Sequence, residues 1–241
     1  MNLSRTTSTS PAWDIGVTLP DGSRLAFTQI VGIGLNYAEH AREQGAAIPE
    51  RPVVFSKNAA ALCLHADEIR VPTICQDRPQ VDFEGELAVV IGRPARDVGK
   101  GDALSYVLGY AAANDVSARW WQKQGSGGQF HRGKSFDTFC PIGPRVIPAA
   151  EIPDPNSLRI ITRINGVVMQ DSTTADMIFD VPTLIAELSR GITLLPGTVI
   201  LTGTPPGVGM ARNPQVFLTN GDTVAVEIER IGTLTNRVRF E

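Results

Sequence analysis

Apolar residues in this sequence come in short runs, each closed by a glycine or a proline, and that rhythm leaves little room for long helices. With Gly 23 and Pro 17 in 241 residues, and with β-branched or aliphatic residues between them, the pattern predicts a mixed α/β but β-rich fold. Strands are expected at Ala26 to Ile33, Val53 to Phe55, Glu86 to Ile91, Leu158 to Ile164, Thr198 to Leu201 and Thr223 to Ile228. Two helices stand out. Asn36 can cap one that runs through Gln44 and stops at Gly45, and Val181 to Ser189 places Leu184, Ile185 and Leu188 on one face. Asn165-Gly166 between apolar runs signals a hairpin, and Asn220-Gly221-Asp222 opens a strand that turns Val224, Val226 and Ile228 to one side. Pro148 to Asn156 is the one visible internal seam, too short to make a domain boundary.

A hydrophobic fraction of 42% with 20% charged residues is enough for a sizeable core. Twenty-two basic against 25 acidic side chains give a net charge of -3, which provides no basic surplus for a nucleic-acid backbone or an anionic membrane surface. A small-molecule partner is expected instead. No apolar run reaches the length of a membrane-spanning helix. Met1 to Pro11 is Ser/Thr-rich without the apolar stretch of a signal peptide, and reads as a frayed tail. The three cysteines, Cys63, Cys75 and Cys140, are odd in number and lack CxxC spacing, against both a disulfide framework and a sulfur-bound zinc site; a cytoplasmic location is expected.

Several stretches could carry chemistry. In Val81-Asp-Phe-Glu-Gly-Glu-Leu, a strand would turn Asp82, Glu84 and Glu86 one way and Phe83 and Leu87 the other. Carboxylates two residues apart lie roughly 6–7 Å from each other at their Cα atoms, a gap that a divalent ion can bridge; the same row also suits a solvated strand face. Asp115 follows a run of small apolar residues, so it is either a third oxygen ligand or the cap of a helix over Ser117 to Gln122. That helix would place Arg119 and Gln122 on one face near Asp115. His40 and Glu43, three apart on the first helix, have the geometry of a general base oriented by a carboxylate, or of an exposed pair. Lys134, in a turn-like stretch, could stabilise an oxyanion or simply lie at the surface. Leu201-Thr-Gly-Thr-Pro-Pro-Gly is not a phosphate-binding loop, because the terminal Lys-Ser/Thr is missing and its prolines have no N–H.

Taken in order, Asn36-Tyr-Ala-Glu-His, Phe83-Glu-Gly-Glu-Leu, Asn114-Asp-Val-Ser-Ala-Arg, Gly133-Lys-Ser-Phe-Asp-Thr-Phe, Gln170-Asp and Thr202-Gly-Thr-Pro resemble the fumarylacetoacetate hydrolase family over roughly residues 28 to 241. The resemblance implies a β-sandwich roll with short peripheral helices, like the C-terminal domain of that family, and a homodimer. Its domain boundaries would be a flexible tail and first strand region over 1–25 and a single catalytic domain over 26–241. It also implies one Mg²⁺ or Mn²⁺ per subunit, held by Glu84, Glu86 and Asp115. His40, Glu43 and Lys134 match catalytic positions, and Arg119, Gln122 and Thr204 match substrate-binding positions. The activity implied is hydrolysis of a carbon–carbon bond in a 2,4-dioxo acid of the acylpyruvate type, with His40 activating the water. Relatives with the same residues decarboxylate, isomerise or tautomerise 2-oxo acids, and family membership alone does not choose among them. A ligand-binding module without turnover is the rival of a different class.

Overall fold

A seven-stranded mixed sheet forms the middle of the molecule, in the order Val53–Lys57, Gln29–Gly34, Thr198–Leu201, Gly85–Ile91, Val107–Asn114, Cys140–Pro148, Leu62–Leu64. The computed structural model describes residues 1–6 and 14–241. A five-stranded sheet (Val167–Thr173, Arg159–Ile164, Thr223–Ile228, Gly232–Phe240, Glu68–Val71) packs on one face of the first. A three-stranded sheet of Leu3–Arg5, Ile15–Thr18 and Arg24–Ala26 covers the other. Every residue of Gly85–Ile91 is buried for this reason. Leu87, Val89 and Ile91 meet Ile160, Val226 and Ile228 of the five-stranded sheet, while Ala88 and Val90 meet Ile15, Val17 and Phe27. A strand covered on both faces needs an unbroken apolar run rather than alternation, and each aliphatic side chain so buried contributes about 1.5–3 kcal/mol.

The architecture is the β-rich sandwich with short peripheral helices expected from sequence. Thr198–Leu201, Thr223–Ile228 and the helix Val181–Ser189 occupy the residues predicted for them. Asp180 caps that helix by accepting from the Thr183 N–H at 2.9 Å, and Leu184 and Ile185 enter the core. Asn165 and Gly166 both take positive φ between Ile164 and Val167, as a tight hairpin turn requires.

Four expectations need correction. The expected strand from Ala26 to Ile33 is divided: Arg24–Ala26 joins the three-stranded sheet and Gln29–Gly34 the central one. The N-terminus is not wholly a tail, since Leu3–Arg5 pairs with Ile15–Thr18; residues 7–11 of the expected tail lie outside the described residues. Asn36 does not cap the helix, which spans Ala38–Glu43 without any side-chain cap. Its buried amide instead donates to the carbonyls of Phe179 (3.0 Å) and Thr202 (2.7 Å) and accepts from the Phe179 N–H at 2.8 Å. The run from Val81 is not one strand either. Val81–Asp82 pairs with Ser117–Ala118, the chain breaks at Phe83 and Glu84, and a new strand begins at Gly85. The break sits where the two large sheets nearly touch: a Cβ on Gly85 would lie 2.1 Å from the Thr162 hydroxyl oxygen. Phe83 therefore packs in a separate cluster with Val116 and Phe139 rather than beside Leu87.

Candidate active site

The break after Asp82 brings the acids together. Gly85–Ile91 runs antiparallel to Val107–Asn114 with Gly85 opposite Asn114. One step further, the Asp115 N–H donates to the Glu84 carbonyl at 2.8 Å, and the Asn114 side chain accepts from the Glu84 N–H at 3.0 Å. Glu84 and Asp115 are thereby held side by side, with Glu86 next to them. Carboxylate oxygens of the three lie within 4.8 Å of one another, and all three residues are buried.

Buried carboxylates need partners, and the fold supplies cations on two sides. Lys134, at the end of the helix Phe130–Lys134, donates to Glu84 Oε2 (2.7 Å), Asp115 Oδ2 (2.6 Å) and the Ser117 hydroxyl (2.8 Å). Arg119 pairs with Glu84 Oε1 at 2.7 Å and with Asp82 Oδ2 at 2.9 Å. Lys57, at the end of the strand Val53–Lys57, is fully buried against Asp115 and also donates to the Phe139 carbonyl at 2.8 Å. Burial works to raise the Glu84 carboxyl, but the Lys134 ammonium and the Arg119 guanidinium beside it hold it well below the usual carboxylate range. Glu86 goes the other way. Burial, then the negative charges of Asp115 and Glu84, push it well above that range, opposed by Lys134 and by the Gly203 N–H that donates to it at 2.8 Å.

The charge balance tests whether a cation fits. Among the described residues, the buried acids are Asp82, Glu84, Glu86 and Asp115, and the buried lysines and arginine are Lys57, Arg119 and Lys134. One negative charge is left without a counterpart, and Glu86 is the carboxylate that shows it. Three converging carboxylates with a charge deficit match an oxygen-ligated hard ion such as Mg²⁺ or Mn²⁺.

Above the acids lies a cavity of about 90 Å³ whose wall includes His40, Glu84, Glu86, Gln122, Lys134 and Thr204. At roughly 10–15 Å³ for each water-sized centre, it has room for a small oxo acid but not for a polymer. His40 is buried, with Nδ1 2.7 Å from Glu43 Oε1 and Nε2 2.8 Å from the Gln44 amide nitrogen. The other Glu43 oxygen accepts from the Gly207 N–H at 2.9 Å. With Nδ1–H given to the carboxylate, Nε2 keeps its lone pair and accepts from Gln44. Thr204 donates to the Gly85 carbonyl (3.0 Å) and accepts from Gln170 (2.8 Å).

The structure therefore places His40, Lys134, Gln122, Thr204, Glu84 and Glu86 on the wall of one cavity, with Glu43 and Asp115 directly behind it against His40 and Lys134. Arg119 is also off the wall. It lies behind Glu84, its guanidinium committed to Asp82, Glu84 and the Gln122 side-chain oxygen (2.9 Å), and it is not part of the cavity wall. In this arrangement Arg119 holds Glu84 in place.

Sequence reasoning missed Lys57 and named Asp82 in the acidic row without a role of its own. Lys57 was visible only as one of four lysines, at the end of an otherwise apolar strand. Asp82 accepts from the N–H groups of Phe83 (2.9 Å), Gly209 (2.8 Å) and Met210 (2.9 Å) as well as from Arg119, and so ties the loop after Thr204 to the acids.

Comparison with known proteins bears on this geometry. The family described as fumarylacetoacetate (FAA) hydrolase C-terminal matches residues 29–239. The mitochondrial oxaloacetate tautomerase FAHD2A of Bos taurus is 46% identical over 222 residues, covering 92% of this chain and 68% of its own length. The crystal structure of 2-hydroxyhepta-2,4-diene-1,7-dioate isomerase from Mycobacterium marinum has a TM-score of 0.77 and 42% identity, over 90% of this chain and 76% of the other. That of 5-carboxymethyl-2-hydroxymuconate delta-isomerase from Mycobacterium smegmatis has a TM-score of 0.78 and 41% identity, over 91% and 79%. The expectation of a cytoplasmic location is corrected here, because the bovine relative is a mitochondrial protein. The three cysteines are free and buried; free thiols ask only for a reducing environment and do not single out the cytoplasm.

Proposed function

The chain belongs to the fumarylacetoacetate hydrolase family, a family of enzymes, and within it we propose a tautomerase or isomerase of 2-oxo acids rather than a hydrolase of 2,4-dioxo acids. Such an enzyme moves a proton between the carbon beside the keto group and the keto oxygen, or to a more distant carbon. The observation that carries this reading is His40 on the cavity wall with Glu43 Oε1 2.7 Å behind its Nδ1. A ring with Nδ1 tied to a carboxylate keeps a basic lone pair on Nε2, which can exchange its contact with the Gln44 amide for a substrate proton and return that proton to the same molecule, with no water consumed. The similarity to an oxaloacetate tautomerase and to two isomerases of unsaturated hydroxy or oxo diacids supports the same reaction class.

Glu84, Glu86 and Asp115 would hold Mg²⁺ or Mn²⁺, which when bound supplies Lewis-acid stabilisation to a keto oxygen that gains charge. Lys134 places an ammonium beside the same acids, and its positive charge favours negative charge developing on that oxygen. Thr204 and Gln122 orient the substrate from the wall. Arg119 and Asp82 act through others, Arg119 by fixing Glu84 and Asp82 by fixing Arg119. Glu43 sets the tautomer of His40 and is itself steadied by the Gly207 N–H.

The test follows the enol absorbance of oxaloacetate with the purified protein in D₂O. Decay that needs Mg²⁺ or Mn²⁺ and stops with chelator, together with deuterium incorporation at C3 and unchanged carbon count, is the expected result. Release of pyruvate plus a second acid from acylpyruvates, with no enol decay, would return the assignment to hydrolysis. Carbon dioxide would make it a decarboxylase.

A further inference from the structure

The charged groups on the cavity wall are not all committed. Lys134 gives its three donors to Glu84, Asp115 and Ser117. Lys57 and Lys100 are paired with Asp115 and Asp180. Lys123 lines the same cavity, and among the described residues its ammonium has no acid partner.

Lys123 is also well placed. It follows the helix Arg119–Gln122 directly and its N–H closes on the Arg119 carbonyl at 3.1 Å. Arg119 anchors that helix to Asp82 and Glu84. The helix is pressed so closely on Phe130–Lys134 that a Cβ on Gly133 would lie 2.3 Å from the Gln122 nitrogen. The base of Lys123 is therefore fixed relative to Lys134 and the acids, while the residue both lines the cavity and is exposed to solvent.

We propose that Lys123 binds the second carboxylate of the substrate, so that the cavity selects 2-oxo acids carrying a second acid group over 2-oxo monoacids. The inference rests on the 2-oxo acid reading above and adds the substrate class to it. A 2-oxo acid engages the floor through its keto and first carboxylate groups, and the floor cations are already neutralised by protein carboxylates. A further negative charge needs an uncommitted cation, and Lys123 is the one on the wall. Burial, and then the positive charge of Arg119, lower the Lys123 pKa; an incoming carboxylate offsets both effects.

The experiment is calorimetry in buffer containing Mn²⁺, with 2-oxoglutarate as the diacid and 2-oxobutyrate as the monoacid, so that binding is read without turnover. Wild-type protein is expected to prefer the diacid by up to about fivefold, the scale of one partly screened ion pair. Lys123→Ala should erase the preference with monoacid affinity kept, Lys123→Glu should reverse it, and Lys123→Arg should restore it. No preference in the wild type, an undiminished preference in Lys123→Ala, or equal loss of both ligands would overturn the proposal. Failure of the tautomerase reading shows separately, as diacid preference without enol decay of oxaloacetate.

Discussion

The floor and the mouth of the cavity are built by different means. The floor acids stand on or beside strands of the central sheet, and each is held by at least one contact to residues distant in sequence: Glu84 by Arg119 and Lys134, Asp115 by Lys57 and Lys134, Glu86 by the Gly203 N–H. The mouth rests on the six-residue helix Ala38–Glu43, which has no side-chain cap, and His40 is steadied by Glu43 and Gln44 from the same segment. Removing a cation that braces the floor should unsettle the fold, whereas the mouth can change chemistry at little cost in stability.

The sharpest way to break the contrast is Lys57→Met. Lys57 and Asp115 form an ion pair with no solvent exposure on either side, and removing one partner leaves a buried carboxylate short of charge, a loss of about 3–5 kcal/mol. For a chain of this size each kcal/mol lowers Tm by roughly 2–4 °C, so a thermal scan without metal should fall by on the order of 10 °C. An unchanged Tm would show that the floor is not braced as described. His40→Ala is the opposite case. Loss of the proton carrier should cut kcat for enol oxaloacetate by about 10²–10⁴-fold, while Tm and Mn²⁺ affinity stay near wild type. Turnover that survives would remove His40 as the base, and a large fall in Tm would show that the mouth is structural after all.

The same division decided what could be read from sequence. Local patterns were legible: the Asn165-Gly166 turn, the capped helix Val181–Ser189 and the strand Thr223–Ile228 each depend on residues within a few positions. The dyad was legible too, because His40 and Glu43 are three apart. Lys57 was not, since its partner Asp115 lies 58 residues away and nothing near Lys57 announces burial. The break at Phe83 and Glu84 was invisible because the close approach at Gly85 comes from Thr162 in the other sheet. The acids of the floor could be named only through a resemblance in motif order; alternation alone placed Asp82 with Glu84 and Glu86, and the break separates it.

The finest test lies within the floor, where Glu84 and Glu86 carry opposite signs. Glu84 is held below the usual range, so its contribution to stability is present above the unfolded carboxylate value of about 4.3 and is lost as pH falls through the lower folded value. Glu86 is held above that range. Between about pH 4.3 and its raised folded value the folded state binds more protons than the unfolded one, so the Glu86 contribution makes stability fall as pH rises, by up to about 1.4 kcal/mol per pH unit. Glu86→Gln removes that slope. In chelator, the variant should be more stable than wild type at pH 7 and the difference should shrink toward pH 5. Added Mn²⁺ should stabilise the wild type at pH 7, with proton release seen as a dependence of binding heat on buffer ionisation, and should do little for Glu86→Gln. A variant less stable than wild type at neutral pH without metal would mean that Glu86 is already neutralised by the protein, and the charge deficit that makes the floor a cation site would be gone.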